Sequence, residues 1–167
     1  MMNTLIKITT LAAALALGGC AGLIRQAPSL GDPVAVVQQK MGMPTSIYRI
    51  ADEQLFEYAT GPMGQQTYMA RIGADGRLVS YEQVLTGEKF ATIKVDSANK
   101  EDVLRIVGKP AEKSFVAMRD WEVWSYRYKE AGVWNSLMHV HFDRQGVVRQ
   151  MLNGPDPMYE PKEKMGW

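Results

Sequence analysis

The sequence has a single cysteine, Cys20, so the chain cannot form an internal disulfide. It also lacks a strong charge of either sign, because 19 Lys and Arg residues oppose 18 Asp and Glu residues. A nearly neutral protein has no electrostatic attraction for nucleic acid or for a strongly acidic partner. We therefore expect no nucleic-acid partner, and we expect an apolar core to hold the fold without covalent crosslinks.

The N-terminal apolar run, from Ile8 to Leu17, is too short to cross a bilayer. Lys7 precedes it and small residues follow it, which is the pattern of a secretory signal. We predict that residues 1–19 are a signal peptide, cut between Gly19 and Cys20. The chain beyond the cut is long enough for one moderate domain or two small repeats.

The stretch Leu17-Gly18-Gly19-Cys20 resembles the lipobox of bacterial lipoproteins. The resemblance implies that a diacylglyceryl group joins the Cys20 thiol and that acyl chains such as palmitate anchor the protein. Gly18 stands where Ala, Ser or Thr is more usual, and an ordinary secretory signal with an incidental cysteine is the alternative. Ala21, rather than Asp, follows the cysteine, which in the enterobacterial sorting rule favours the outer membrane. We expect a lipid-anchored protein on the periplasmic face of that membrane.

Two similar halves follow a tether at residues 20–31. In the first half, residues 32–85, Asp32-Pro33 predicts a helix start, Gly42 predicts its end and Asp75-Gly76 predicts a hairpin turn. Alternating apolar residues predict strands at 46–50, 55–60, 66–72 and 77–84.

The second half, residues 86–153, repeats that order. Asn99 predicts a helix start and Gly108 predicts its end, before strands at 113–118, 122–128, 136–142 and 147–152. The segment 86–95 fits a short helix better than a strand, although both remain open. Residues 154–167 are rich in proline and are expected to form a flexible tail. The predicted fold class is α+β, with two tandem modules of a short helix or helix pair and a four-stranded antiparallel meander.

The stretches Asn99 to Pro110, Val123 to Tyr128 and His139 to Phe142 resemble the SmpA/OmlA/BamE-like outer-membrane lipoproteins. In tandem form they are also similar to the β-lactamase inhibitor protein, whose two helix-sheet repeats place their sheets side by side. The resemblance implies a binding role, as an accessory to outer-membrane protein assembly or envelope integrity. The alternative is a protein inhibitor or regulator of a periplasmic enzyme. Either role implies an outer-membrane or periplasmic protein as partner.

Strand alternation places one set of side chains opposite the aromatic residues that would pack on the helices. If the two sheets are continuous, this set forms an open surface that can bind protein, although a plain solvated face remains the alternative. The candidate binding face contains Met69, Arg71, Val123, Ser125, Arg127, His139 and His141.

Chemistry-bearing motifs are scarce in the sequence. It contains no Gly-x-Ser-x-Gly, no His-Glu-x-x-His and no phosphate-binding loop, so we expect no enzyme, no cofactor and no small-molecule substrate. His139 and His141 project from one strand face and can offer two imidazoles to a metal, but no third ligand is evident. We therefore expect no metal. Four carboxylates near strand starts are candidate acid pairs or ordinary turn residues: Asp52, Glu53, Asp120 and Glu122.

Overall fold

A computed structural model describes residues 26–160 of the chain. Module 1 contains helix α1 (Val34–Met41) and strands β1 (Ser46–Ile50), β2 (Glu53–Ala59), β3 (Thr67–Ile72) and β4 (Leu78–Gln83). Module 2 contains helices α2 (Gly87–Ala91) and α3 (Lys100–Val107) and strands β5 (Glu112–Val116), β6 (Trp121–Glu130), β7 (Trp134–Phe142) and β8 (Val148–Pro155). Each sheet is a four-stranded antiparallel meander. The predicted α+β fold of two helix-sheet modules is confirmed.

The same hydrogen bonds close both modules. The amide of Val34 donates to the Gly76 carbonyl over 3.0 Å, and the amide of Lys100 donates to the Gly146 carbonyl over 3.1 Å. The sheet register shifts between Arg71 and Ile72 in module 1 and at the equivalent place in module 2. Both modules therefore repeat one backbone plan, down to the position of the bulge.

The two long helices end alike but begin differently. Gly42 and Gly108 both have φ of 82° after the last helical residue, a conformation that glycine adopts without a steric cost. Asn99 caps α3 as predicted, because its side chain accepts the amides of Glu101 and Asp102. Asp32 does not cap α1. Its carboxylate instead accepts the Ser29 amide and the Lys40 ammonium, so the prediction of an Asp32 cap was wrong.

Each sheet buries one face, here called its inner face, against helices of its own module. In module 1, Val37 and Met41 of α1 pack on a cluster that includes Phe56 and Tyr58. In module 2, Phe90 of α2 contacts the ring edges of Tyr126 and Tyr128 at centroid distances of 5.7 and 5.1 Å, beside Val103 and Val107 of α3. The segment after β4 is therefore a short helix, as the sequence favoured.

Helix α3 also lies on the opposite, outer face of the first sheet. A Cβ on Gly108 would come within 3.1 Å of both the Glu57 carboxyl and the Met69 methyl group. Clefts flank the helix: Leu104 faces Tyr48 across one, and Ile106 faces Leu55 across the other. The sheets are separate and helices of module 2 cover the first, so the expected continuous open surface does not form.

The C-terminal boundary also differs from the prediction. Strand β8 continues to Pro155, and Asp156 beyond it is buried. The Asp156 amide donates to the Asn135 carbonyl over 3.0 Å. The first residues of the predicted tail at 154–167 thus belong to the folded module, because they pair with the start of β7. The signal peptide at 1–19 and the lipidation site at Cys20 lie outside the described residues, as do tether residues 21–25 and residues 161–167.

Candidate functional site

The predicted binding face is divided between two environments. Met69 is 2 % exposed and packs with Leu55 and Val84 beneath the helices of module 2, so it does not lie on an open surface. Arg71 stays exposed at the edge of the cleft beside α3, and its guanidinium lies 3.6 Å from the Glu53 carboxylate. Module 1 therefore contributes little accessible surface to the predicted site.

The outer face of the second sheet keeps the remaining candidates together. We call it the module 2 outer face and define it by the strand register. It contains Glu112, Ser114, Val116, Trp121, Val123, Ser125, Arg127, Lys129, Asn135, Leu137, His139, His141, Gln150 and Leu152. Its central residues Val123 and Leu137 are shielded by neighbours, whereas Leu152 on the edge strand β8 is 46 % exposed. The face combines aliphatic groups with neutral hydrogen-bonding groups and with three charged residues, Glu112, Arg127 and Lys129.

Ser125 and His139 form a cross-strand pair at the centre of this face. The Ser125 hydroxyl lies 2.8 Å from His139 Nδ1, and Ser125 is almost fully buried. A serine beside a histidine resembles part of a hydrolytic triad, but that chemistry also needs an acid that orients the imidazole and donors for an oxyanion. Among the described residues, the Ser125 hydroxyl is the group that bonds to the His139 imidazole. This hydrogen bond orients the His139 ring on the face.

His141 lies beside an aromatic and cationic stack near the β5–β6 turn. The Trp121 ring meets His141 edge-on at 6.1 Å, and the Arg119 guanidinium lies 4.9 Å from the centre of the Trp121 ring. Burial, followed by the nearby His139 and Arg119, lowers the pKa of His141 below its usual value. His141 Nε2 is buried and has no hydrogen-bond partner within residues 26–160. His141 is therefore an uncharged, incompletely bonded group on the face.

Arg127 holds the C-terminal segment rather than presenting a free cation. Its Nε lies 3.1 Å from Oδ2 of Asp156, whose side chain is fully buried, and its Nη1 donates to the Pro62 carbonyl over 3.2 Å. The Arg127 side chain is itself only 13 % exposed. A buried ion pair of this kind fixes geometry, and removal of one partner leaves a charge without solvent or counterion. We assign Arg127 a structural role.

The junction between the modules contains a buried carboxylate that the sequence did not indicate. Glu57 is 0 % exposed, receives a short hydrogen bond from the Tyr48 hydroxyl, and accepts the Lys109 amide over 3.3 Å. Burial, followed by the bond to Glu57, raises the pKa of Tyr48. Next to Glu57 is a cleft of about 270 Å³, bordered by Thr45, Pro62, Lys109, Pro110 and Arg127. The alternation of side chains along β2 places Glu57 on the outer face of the first sheet. It is buried because the end of α3 lies against that face.

Of the four carboxylates near strand starts, Asp52 lies in the exposed turn between β1 and β2, and the other three are paired with cations. Glu53 faces Arg71, and Asp120 faces Arg144. Glu122 contacts Lys100 and also lies 3.7 Å from Lys113, and the Lys100 hydrogen bond lowers the pKa of Glu122. No acid pair forms among them. In the described residues, no group of three or more His, Cys, Asp or Glu side chains is placed to hold a metal.

Within residues 26–160, no helix is long and apolar enough to cross a membrane.

No family model matches the chain, and no curated protein matches it. Among solved structures, a match is the crystal structure of a DUF4309 family protein (YjgB) from Bacillus subtilis. The match has 15% sequence identity and a TM-score of 0.29, and it covers 71% of this chain and 74% of that chain.

Proposed function

We propose that this chain is a lipid-anchored, periplasm-facing binding protein, an accessory to outer-membrane protein assembly or envelope integrity. The observation that carries the binding role is the module 2 outer face, which combines buried aliphatic side chains with histidine, serine and glutamine. Interfaces of protein complexes also have an apolar centre with polar groups around it. The anchored location rests on the lipobox resemblance at Cys20.

The inhibitor alternative required a broad surface made by two adjacent sheets. Helices α2 and α3 occupy the outer face of the first sheet, which removes half of that surface. What remains is one four-stranded sheet face on module 2. A narrower face offers less contact area, which a membrane anchor can offset because tethering raises the effective concentration of the protein near its partner. This favours the anchored binding subunit over the inhibitor.

The anchor is tested by the substitution Cys20→Ser. We expect the variant to lose the mass of the acyl groups and to leave the membrane fraction, because serine lacks the thiol that lipid would modify. Intact mass spectrometry and fractionation of envelopes provide the two measurements. An unchanged mass with unchanged fractionation would contradict lipidation.

The binding face is tested with Leu152→Lys and a matched control, Ile47→Lys. Both residues are aliphatic, lie on edge strands and are about half exposed, at 46 % and 51 %, but only Leu152 belongs to the module 2 outer face. We expect Leu152→Lys alone to reduce co-purification with integral barrel proteins from detergent-solubilised outer membrane. Equal recovery with both variants would place the site elsewhere.

A further inference from the structure

The turn between β5 and β6 departs from the plan that the two modules otherwise share. Residues 51 and 52 join β1 to β2, whereas the longer stretch 117–120 joins β5 to β6. The longer turn contains Met118, which is 99 % exposed, and it follows Phe115 and Val116, which are 59 % and 36 % exposed. Apolar residues scattered singly on a surface need no explanation, but three of them within four positions of one hairpin form a local apolar tip.

The charged groups beside this tip leave one cation without an acidic partner. Asp120 pairs with Arg144. Arg119 instead lies 4.9 Å from the centre of the half-buried Trp121 ring and forms no ion pair in the part of the chain that the structure describes. Apolar side chains with an indole and an arginine beside them are typical of segments at a membrane surface, where the indole lies at the headgroup level and the cation attracts anionic lipid.

The short turns of both sheets lie around the start of α3. Lys100, the first residue of that helix, bonds to Gly146 in the β7–β8 turn and pairs with Glu122 at the start of β6. The next residue, Glu101, borders a cleft with Arg49 near the end of β1. The β5–β6 tip and the β1–β2 turn are therefore at the same end of the molecule.

The described chain also begins near this end. The Gly31 amide donates to the Leu78 carbonyl at the start of β4 over 2.8 Å, and Leu30 before it is 71 % exposed. Cys20 precedes Gly31 by eleven residues, which span at most about 40 Å when fully extended. An anchor at Cys20 therefore keeps this end of the molecule close to the membrane, where a small contact gains from the high effective concentration.

We propose that the β5–β6 tip inserts into the lipid surface that holds the anchor. Met118 enters the boundary between headgroups and acyl chains, a depth of roughly 5–10 Å for interfacial apolar groups, and Arg119 stays at the phosphates. This inference rests on the proposed lipid anchor and adds a second membrane contact to it. Two contacts fix the orientation of the protein, so the β6–β7 turn at the other end of the sheet points away from the membrane.

The small size of the tip favours lipid over a protein partner. A stable protein interface buries roughly 800 Å² on each partner, which three side chains of one turn cannot supply. The turns of module 1 at the same end carry the exposed acids Asp52 and Asp75, so they do not extend the apolar surface. A bilayer needs no matched surface, because its headgroups rearrange around a small insertion.

The test places a fluorescent thiol probe at Met118→Cys in the acylated full-length chain. Met63→Cys is the matched control, because Met63 is also exposed, at 59 %, but lies in the β2–β3 turn at the other end of the first sheet. Each protein is bound to vesicles of phosphatidylethanolamine and phosphatidylglycerol that contain nitroxide-labelled lipid. We expect loss of fluorescence at position 118 and none at position 63. Nitroxides near the headgroup should quench more than nitroxides near the methyl end of the chain, because the insertion is shallow.

The unsubstituted chain separates failure of this inference from failure of the anchor. Acylation uses the Cys20 thiol, so the acylated chain should take up no thiol probe. If it takes up none and position 118 is not quenched, or is quenched no more than position 63, the anchor stands and the tip insertion is wrong. If the unsubstituted chain is labelled at Cys20, the lipid anchor and the inference that rests on it both fail.

Discussion

The substitution Gly108→Ala probes the contact between the modules, and the repeat supplies its control at Gly42. Both glycines have φ of 82° at the end of a helix, with ψ of −169° at Gly42 and −162° at Gly108. Backbone of this kind is almost restricted to glycine and costs other residues about 1–3 kcal/mol. An added Cβ at Gly42 meets no atom within 4 Å, whereas one at Gly108 meets Glu57 and Met69 at 3.1 Å.

The difference between the two variants isolates the inter-module contact. Gly42→Ala should lower the free energy of unfolding only by the cost of placing alanine in this backbone conformation. Gly108→Ala should lower it by a further 1–2 kcal/mol or so, toward the low end of measured overpacking costs, because the Met69 methyl lies at the end of a flexible side chain. Glu57, held by the Tyr48 hydroxyl and the Lys109 amide, cannot move as freely.

Urea unfolding of both variants measures this difference. Three of the four tryptophans of the chain, at positions 121, 124 and 134, lie in module 2, so fluorescence follows mainly that module while far-ultraviolet circular dichroism follows both. We expect Gly108→Ala to lower the urea concentration at the unfolding midpoint more than Gly42→Ala does, as measured by both signals. If it costs no more than Gly42→Ala, then the end of α3 does not press on the first sheet and the assignment of the covered face is wrong.

Two further predictions test the environment of the outer face. Arg127→Ala should lower the free energy of unfolding by about 3–5 kcal/mol, because the buried Asp156 loses its counterion, whereas Arg71→Ala at an exposed pair should cost under about 1 kcal/mol. Equal losses in urea unfolding would show that Asp156 reaches solvent. The lowered pKa of His141 means that the folded chain binds protons less readily than the unfolded chain, so stability should fall as the pH drops below 6.5. His141→Gln should reduce that fall between about pH 7.5 and 5.5, and an unchanged pH profile would contradict it.

Most of the local architecture could be predicted from the sequence. Asn99 and Gly108 define α3 because a cap and a terminating glycine act within a few residues of the chain. Alternating residues such as Trp124 and Tyr126 identify β6 and its inner face for the same reason. The prediction of an Asp32 cap was wrong because the Asp32 carboxylate accepts a hydrogen bond from the Lys40 ammonium instead. The spacing of residues in the sequence does not predict that contact.

The sequence by itself determined the repeat, the strand order and the side of each strand that faces its helices, because these follow from local backbone preference and alternation. Only the tertiary structure decided which outer face a helix covers. Helix α3 lies between the sheets, so Met69 and Glu57 are buried while Leu152 remains exposed. Such burial depends on contacts between segments about fifty residues apart, and no local pattern encodes which of two equivalent faces a helix will cover.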